Sequence, residues 1–271
     1  MSSLPPHSLA DALQLTRAGD ASGPRDRSPG VGSDRGRRAG AFSKGVRWRR
    51  MPAALAIRDY VLDLDDPRAP TEDQWANMTV EERHRVVATL PSELPSELFQ
   101  PEGDVHRRVK TGAIDALERQ FRRMGRKIYL SSELGVFYPG EPRFVPDVLA
   151  VLEVEPGERS SWVVAAEGKG LDFVLEVHVS GDLRKDREVN VARHARLGIT
   201  EYFIFDRSRL RLSGYRLPLK GPRVYRPILP QRGQYASQVL GLDLALDGER
   251  LHFYYGEAPL PEADEIIAKL G

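Results

Sequence analysis

The chain of 271 residues contains no cysteine. Disulfides, thiolate zinc sites and cysteine nucleophiles are thereby excluded, and any metal must be held by carboxylates, histidines or water. The sequence also lacks a run of the roughly 18 apolar residues that a membrane span requires. Its first residues carry Pro, Asp and Arg where a signal peptide needs an apolar stretch, which points to a cytoplasmic protein with no membrane partner. An excess of either charge is missing too, with 40 Lys and Arg against 39 Asp and Glu. Near neutrality neither demands nor excludes a nucleic-acid partner, because clustering of charge decides that. There is no internal repeat, no Gly-x-Ser-x-Gly elbow and no complete phosphate loop. His7, His84, His106, His194 and His252 show no metal-ligand spacing.

What is present begins with 41% hydrophobic residues, enough to bury one sizeable core. The stretch "GDASGPRDRSPGVGSDRGRRAGAFSKGVRWRR" is rich in Gly, Ser and Arg and has almost no apolar periodicity. Residues 1–50 are therefore expected to be a disordered basic tail, and residues 51–271 one domain, with Met51 a candidate start. "TEDQWANMTVEERHRVVATLP" reads as two short helices, with Thr79 and Glu82 spaced as a capping box and Pro91 ending the second. Asp104 can cap a longer helix in which Val105, Val109, Ala113, Leu117, Phe121 and Met124 form one buried stripe. The other faces of that helix carry Arg107, Arg108, Lys110, Arg119, Arg122 and Arg123, followed by Arg126 and Lys127. Such a cluster is either a solvated face or a contact for phosphates. His106, at the helix start, suits a capping or surface role, or an approach to a phosphate.

Strand-like runs follow in "KIYL", "LGVFY", "FVPDVLAVLEV", "SWVVAAE" and "DFVLEVHV". A helical stretch over residues 186–197 closes at Gly198, and "EYFIFD" reads as a further buried strand. Strand, helix and strand make a βαβ crossover, so the two strands are expected to be parallel neighbours. Beyond them "RLSGYRL", "RVYRPIL", "LDLAL" and "LHFYY" alternate short strands with turns. "DG" at 247 and 248 suits a hairpin, and a last helix is expected over 261–270. The fold class is α/β: a mixed sheet flanked by helices, with a β-rich C-terminal extension.

Two acids interrupt apolar strands. Asp147 lies in "FVPDVLAVL", and Glu176 lies among Phe173, Val174, Leu175, Val177 and Val179. Aspartate is depleted in strands, and an uncompensated carboxylate is costly to bury. On period-two alternation Glu176 shares a face with Asp172, Val174 and His178, so a half-exposed strand with one polar side is the bland reading. The chemical reading is that strands bring distant acids into fixed geometry. Mg²⁺ or Mn²⁺ takes one or two carboxylates with waters and phosphate oxygens, and a nearby lysine can then steer or deprotonate water.

"PDV" at 146–148, "LEV" at 175–177, Asp186 ten residues after Glu176, "ARLGI" at 195–199 and "EYFIFD" at 201–206 together resemble the Uma-two family, restriction-endonuclease-like members of the PD-(D/E)XK nuclease superfamily. The resemblance spans roughly residues 71–270 and is specific in order and spacing. It implies a restriction-endonuclease-like core, a metal-dependent DNA endonuclease, and Asp147 and Glu176 as ligands of Mg²⁺ or Mn²⁺. It also implies DNA as partner and, by analogy, a homodimer. The sequence departs from the pattern where a lysine is expected. His178 stands two residues after Glu176, and Asn190 stands at the helical position that carries lysine in many relatives. Lys185 is the nearest replacement as catalytic base or positioner, with His178 second. A rival assignment matches the formula literally, pairing Asp147 with Glu167 and Lys169 in "EGK". The departures leave a second function open, a catalytically inactive nuclease fold that binds nucleic acid or a protein partner.

Overall fold

The structure, a computed structural model, describes residues 56–92, 103–179 and 185–262. The tail expected over 1–50 and nearly all of the final helix expected over 261–270 lie outside these residues.

A small hairpin of β1 (Ala56–Ile57) and β2 (Tyr60–Val61) precedes α1 (Glu72–Ala76) and α2 (Val80–Thr89). Both helices open on capping boxes. Thr71 exchanges hydrogen bonds with Gln74, and Thr79 does so with Glu82, which satisfies orphan amides at each start. Helix α3 (Asp104–Met124) begins differently from expectation. Its N-cap is Gly103, with no side-chain cap, and Asp104 is the first helical residue. A left-handed Gly125 closes it at a φ of 66°.

Next come β3 (Ile128–Ser131), β4 (Val136–Phe137), β5 (Val148–Leu152) and β6 (Trp162–Val163). "VAAE", expected as strand, is instead the short helix α4 (Val164–Glu167), followed by β7 (Phe173–His178). A π-helical turn over Lys185–Asn190 leads into α5 (Val191–Leu197), capped by the left-handed Gly198. Then follow β8 (Glu201–Asp206), β9 (Arg211–Arg216), β10 (Arg226–Ile228), β11 (Tyr235–Ser237), β12 (Leu242–Asp247), β13 (Arg250–Tyr255) and β14 (Ala258–Pro259).

The central sheet has six strands in the order β10-β9-β8-β7-β5-β3. Only β7 and β8 are parallel, as the crossover through α5 requires. The β-rich extension is a second sheet, β11-β12-β13-β14, whose β12–β13 hairpin turns at Gly248 with φ of 55°. The strands alternate between two cores. Phe173, Leu175, Val177, Phe203 and Phe205 meet Ala113, Leu117 and Phe121 of α3 and Leu244 and Phe253 of the extension. Val174, Tyr202 and Ile204 point the other way, into a cluster with Trp162, Ala195 and Ile199. Strand β7 is thus buried on both faces, and the half-exposed strand with a polar side is not what forms. The architecture is a mixed α/β core with a β-rich C-terminal region, with α3 on one face of the sheet and α5 on the other.

Candidate active site

Strands β5 and β7 run antiparallel with Val148 opposite Leu175 and Leu149 opposite Val174. One step further along the same register places Asp147 opposite Glu176. The contacts agree: Val177 N–H donates to Asp147 Oδ2 at 2.7 Å, and Asp147 N–H donates to Glu176 Oε2 at 3.4 Å. Two acids 29 residues apart in the chain therefore meet at one end of the β5–β7 ladder. Pro146 has no N–H to give to a ladder, which accounts for the strand beginning just after the acid.

Helix α3 closes one side of the pair. His106 Nε2 lies 3.1 Å from Asp147 Oδ2. Four residues on, on the same helical face, Lys110 is only 3% exposed, and its Nζ is 2.9 Å from Glu133 Oε1. Burial by itself would raise the Asp147 carboxyl. Hydrogen bonds from His106 and Val177 N–H, aided by the charges of His106 and Lys110, outweigh it and hold the group below the ordinary aspartate range. Asp147 is therefore ionised at neutral pH, the form a hard cation needs.

His178 is buried two residues beyond Glu176 and stands beside Asp206 in the parallel register with β8. Lys185 opens the π-helical turn that follows β7, although its side chain is not among those described. Asn190, where the family resemblance expects lysine, is the last residue of that turn and is half-buried. Among the described residues, no three His, Asp or Glu side chains gather as a metal cage. Two carboxylates still match a Mg²⁺ or Mn²⁺ site completed by water and phosphate.

The rival "EGK" residues are placed elsewhere. Glu167 pairs with Arg159 at 2.8 Å, and Lys169 Nζ lies 2.8 Å from Asp172 Oδ2 while donating to Leu152 O. Asp172 also accepts from Leu152 N–H at 2.7 Å. This brace clamps the far end of β5, roughly 17 Å along the strand from Asp147.

The basic helix is less basic at its surface than its sequence. Lys110 is buried, not on a solvated face, Arg107 pairs with Asp104, Arg126 with Glu153 and Lys127 with Glu155. Arg119 donates to Pro261 O at 2.8 Å. Arg108, Arg122 and Arg123 remain exposed. The sequence marks His106 and Lys110 only weakly as neighbours of the acids. Their signal is a spacing of four, then three, then four from His106 through Lys110 and Ala113 to Leu117, a polar continuation of the buried arc.

A crystal structure described as a putative nuclease belonging to DUF820, from Anabaena variabilis, shares 14% identity with this chain. It covers 49% of this chain and 74% of its own, at a TM-score of 0.38. No curated protein matches the chain. Residues 95–247, more than half of the sequence, match the model of the family Uma2, described as putative restriction endonuclease, and the chain belongs to that family.

Proposed function

We propose that the protein hydrolyses phosphodiester bonds of DNA at the end of the β5–β7 ladder, with Asp147 and Glu176 as ligands of Mg²⁺ or Mn²⁺. The observation that carries this reading is the placement of Asp147 opposite Glu176 at the end of the β5–β7 ladder, where one divalent cation could take both carboxylates. When bound, the ion would polarise a phosphoryl oxygen and lower the pKa of water. The chain's own residues supply the rest. His106 and Val177 N–H orient Asp147, α3 flanks the pair, and Lys185 on the π-helical turn would position or activate water. Arg108, Arg122 and Arg123 would meet the DNA backbone, and two copies would cut two strands. A groove of about 390 Å³ between α3 and β13 includes neither acid, so the pair sits apart from this space for a small substrate.

A second reading is favoured by a specific observation. Position 190 carries asparagine, and the described residues supply Asp147 with a histidine and an amide but no third acidic ligand. Taken by themselves, these residues suit a catalytically inactive nuclease fold that binds nucleic acid or protein better than they suit a hydrolase. Incubation of supercoiled plasmid with Mg²⁺ or Mn²⁺ separates the two. Metal-dependent nicking that Asp147→Asn abolishes supports hydrolysis, whereas intact plasmid with retained DNA binding supports the inactive module.

A further inference from the structure

Glu133 lies in the turn between β3 and β4 with a φ of 54°. This left-handed conformation is uncommon for any residue but glycine, so surrounding contacts must hold it. Two such contacts exist. Glu133 N–H donates to Pro146 O at 3.1 Å, and Glu133 Oε1 lies 2.9 Å from Lys110 Nζ. The first ties the turn to the residue immediately before Asp147. The second ties it to a buried cation one helical turn after His106, which itself touches Asp147 at 3.1 Å.

A buried ammonium must be compensated, and lysine is a mobile point charge that can be shared between acids. The charges can be counted. Glu133, Asp147 and Glu176 supply three formal negative charges, set against the Lys110 ammonium and the imidazole of His106 beside Asp147. Without Glu133, more of the lysine charge would fall on Asp147, and the pair would present less charge to a metal.

We infer that Glu133 is a positioning residue for the cation site: by holding the Lys110 ammonium from the β3–β4 turn, it keeps Asp147 available to a divalent ion. This rests on the cation site proposed above and adds to it two residues outside the motif. It also gives the left-handed Glu133 a role, since the turn sets its N–H on Pro146 O and its carboxylate on Lys110.

The test is Mn²⁺ binding to the full chain, followed by electron paramagnetic resonance, with melting temperature measured alongside. Glu133→Gln keeps shape and should weaken Mn²⁺ binding by roughly tenfold or more, because the lysine charge then falls on Asp147. Adding Lys110→Met to Glu133→Gln removes the competing charge and should restore affinity to within about threefold of the wild type. A simple brace predicts the opposite, a double variant no better than the single one. Unchanged Mn²⁺ affinity in folded Glu133→Gln overturns the inference, even if Lys110→Met variants do not fold. Wild-type protein whose Mn²⁺ binding is absent, or survives Asp147→Asn, overturns the cation site itself and with it the role of Glu133.

Discussion

Asp147 and Glu176 stand opposite each other one register step beyond the pair Val148 and Leu175, with Val177 N–H donating to Asp147 Oδ2. A cation between them would bind the folded chain and not the unfolded one. Mn²⁺ at about a hundredfold over its dissociation constant should add roughly 2.7 kcal/mol of stability. Thermal denaturation with and without Mn²⁺ should show that gain in the wild type and lose it in both Asp147→Asn and Glu176→Gln. Asp147→Asn should also lower the melting temperature of the metal-free protein, since it gives up the interactions with His106 and Val177 N–H that favour the ionised carboxylate.

Lys185 and Lys169 separate the two lysine assignments. Lys169 ties Asp172 and Leu152 at the far end of β5, so Lys169→Ala should lower stability by about 1–3 kcal/mol in urea denaturation while leaving cleavage per folded molecule intact. Lys185→Ala should leave stability and Mn²⁺ binding intact and reduce cleavage by about a hundredfold. The reverse pattern would restore the "EGK" assignment.

His194 is 1% exposed on α5, edge-on to Tyr202 and against Phe144, and its Nδ1 has no hydrogen-bond partner among the described residues. Burial, with the Arg193 charge beside it, lowers its pKa from 6.5 to about 3. The folded state therefore binds fewer protons than the unfolded state between these values. Stability should be intact above about pH 6.5 and fall by up to roughly 1.4 kcal/mol per pH unit down to about 3. His194→Phe should flatten that slope in denaturant titrations between pH 7 and pH 4. An unaltered slope would assign acid sensitivity to other groups.

Glu201 is fully buried at the start of β8 and accepts hydrogen bonds from Arg216 Nε at 2.6 Å, Ser237 Oγ and Gln238 N–H at 2.8 Å. It joins the central sheet to β11 of the extension. Glu201→Ala leaves these donors without their acceptor and should cost about 3–5 kcal/mol. Equilibrium unfolding should show the loss, and a change under about 1 kcal/mol would mean that water takes over the acceptor role.

Gly214 in β9 has no room for a side chain, because a Cβ there would lie 2.7 Å from Cε1 of Phe203. Phe203 is fully buried in β8 and cannot retreat without disturbing the core it shares with Phe173. Gly214→Ala should therefore destabilise by about 1–3 kcal/mol, read from the midpoint of urea unfolding.

The sequence by itself determined the parts of this protein that depend on neighbours in the chain. Thr79 and Glu82 could cap α2 because three residues separate them, Gly198 could end α5, and the order strand, helix, strand from Phe173 to Asp206 pointed to two parallel neighbouring strands. The acids Asp147 and Glu176 were legible because charge inside apolar strands is costly enough to demand a reason. Tertiary structure decided what lies across from what. The antiparallel register put Asp147 opposite Glu176, and Lys169 of "EGK" lies at the other end of β5, which no count of residues between motifs could show. Packing against the sheet turned the start of α3 inward. His106 and Lys110, which read as a cap and a solvated charge along one helix, thereby became partners of Asp147 and Glu133, because the compensation of a buried charge is a property of the assembled core.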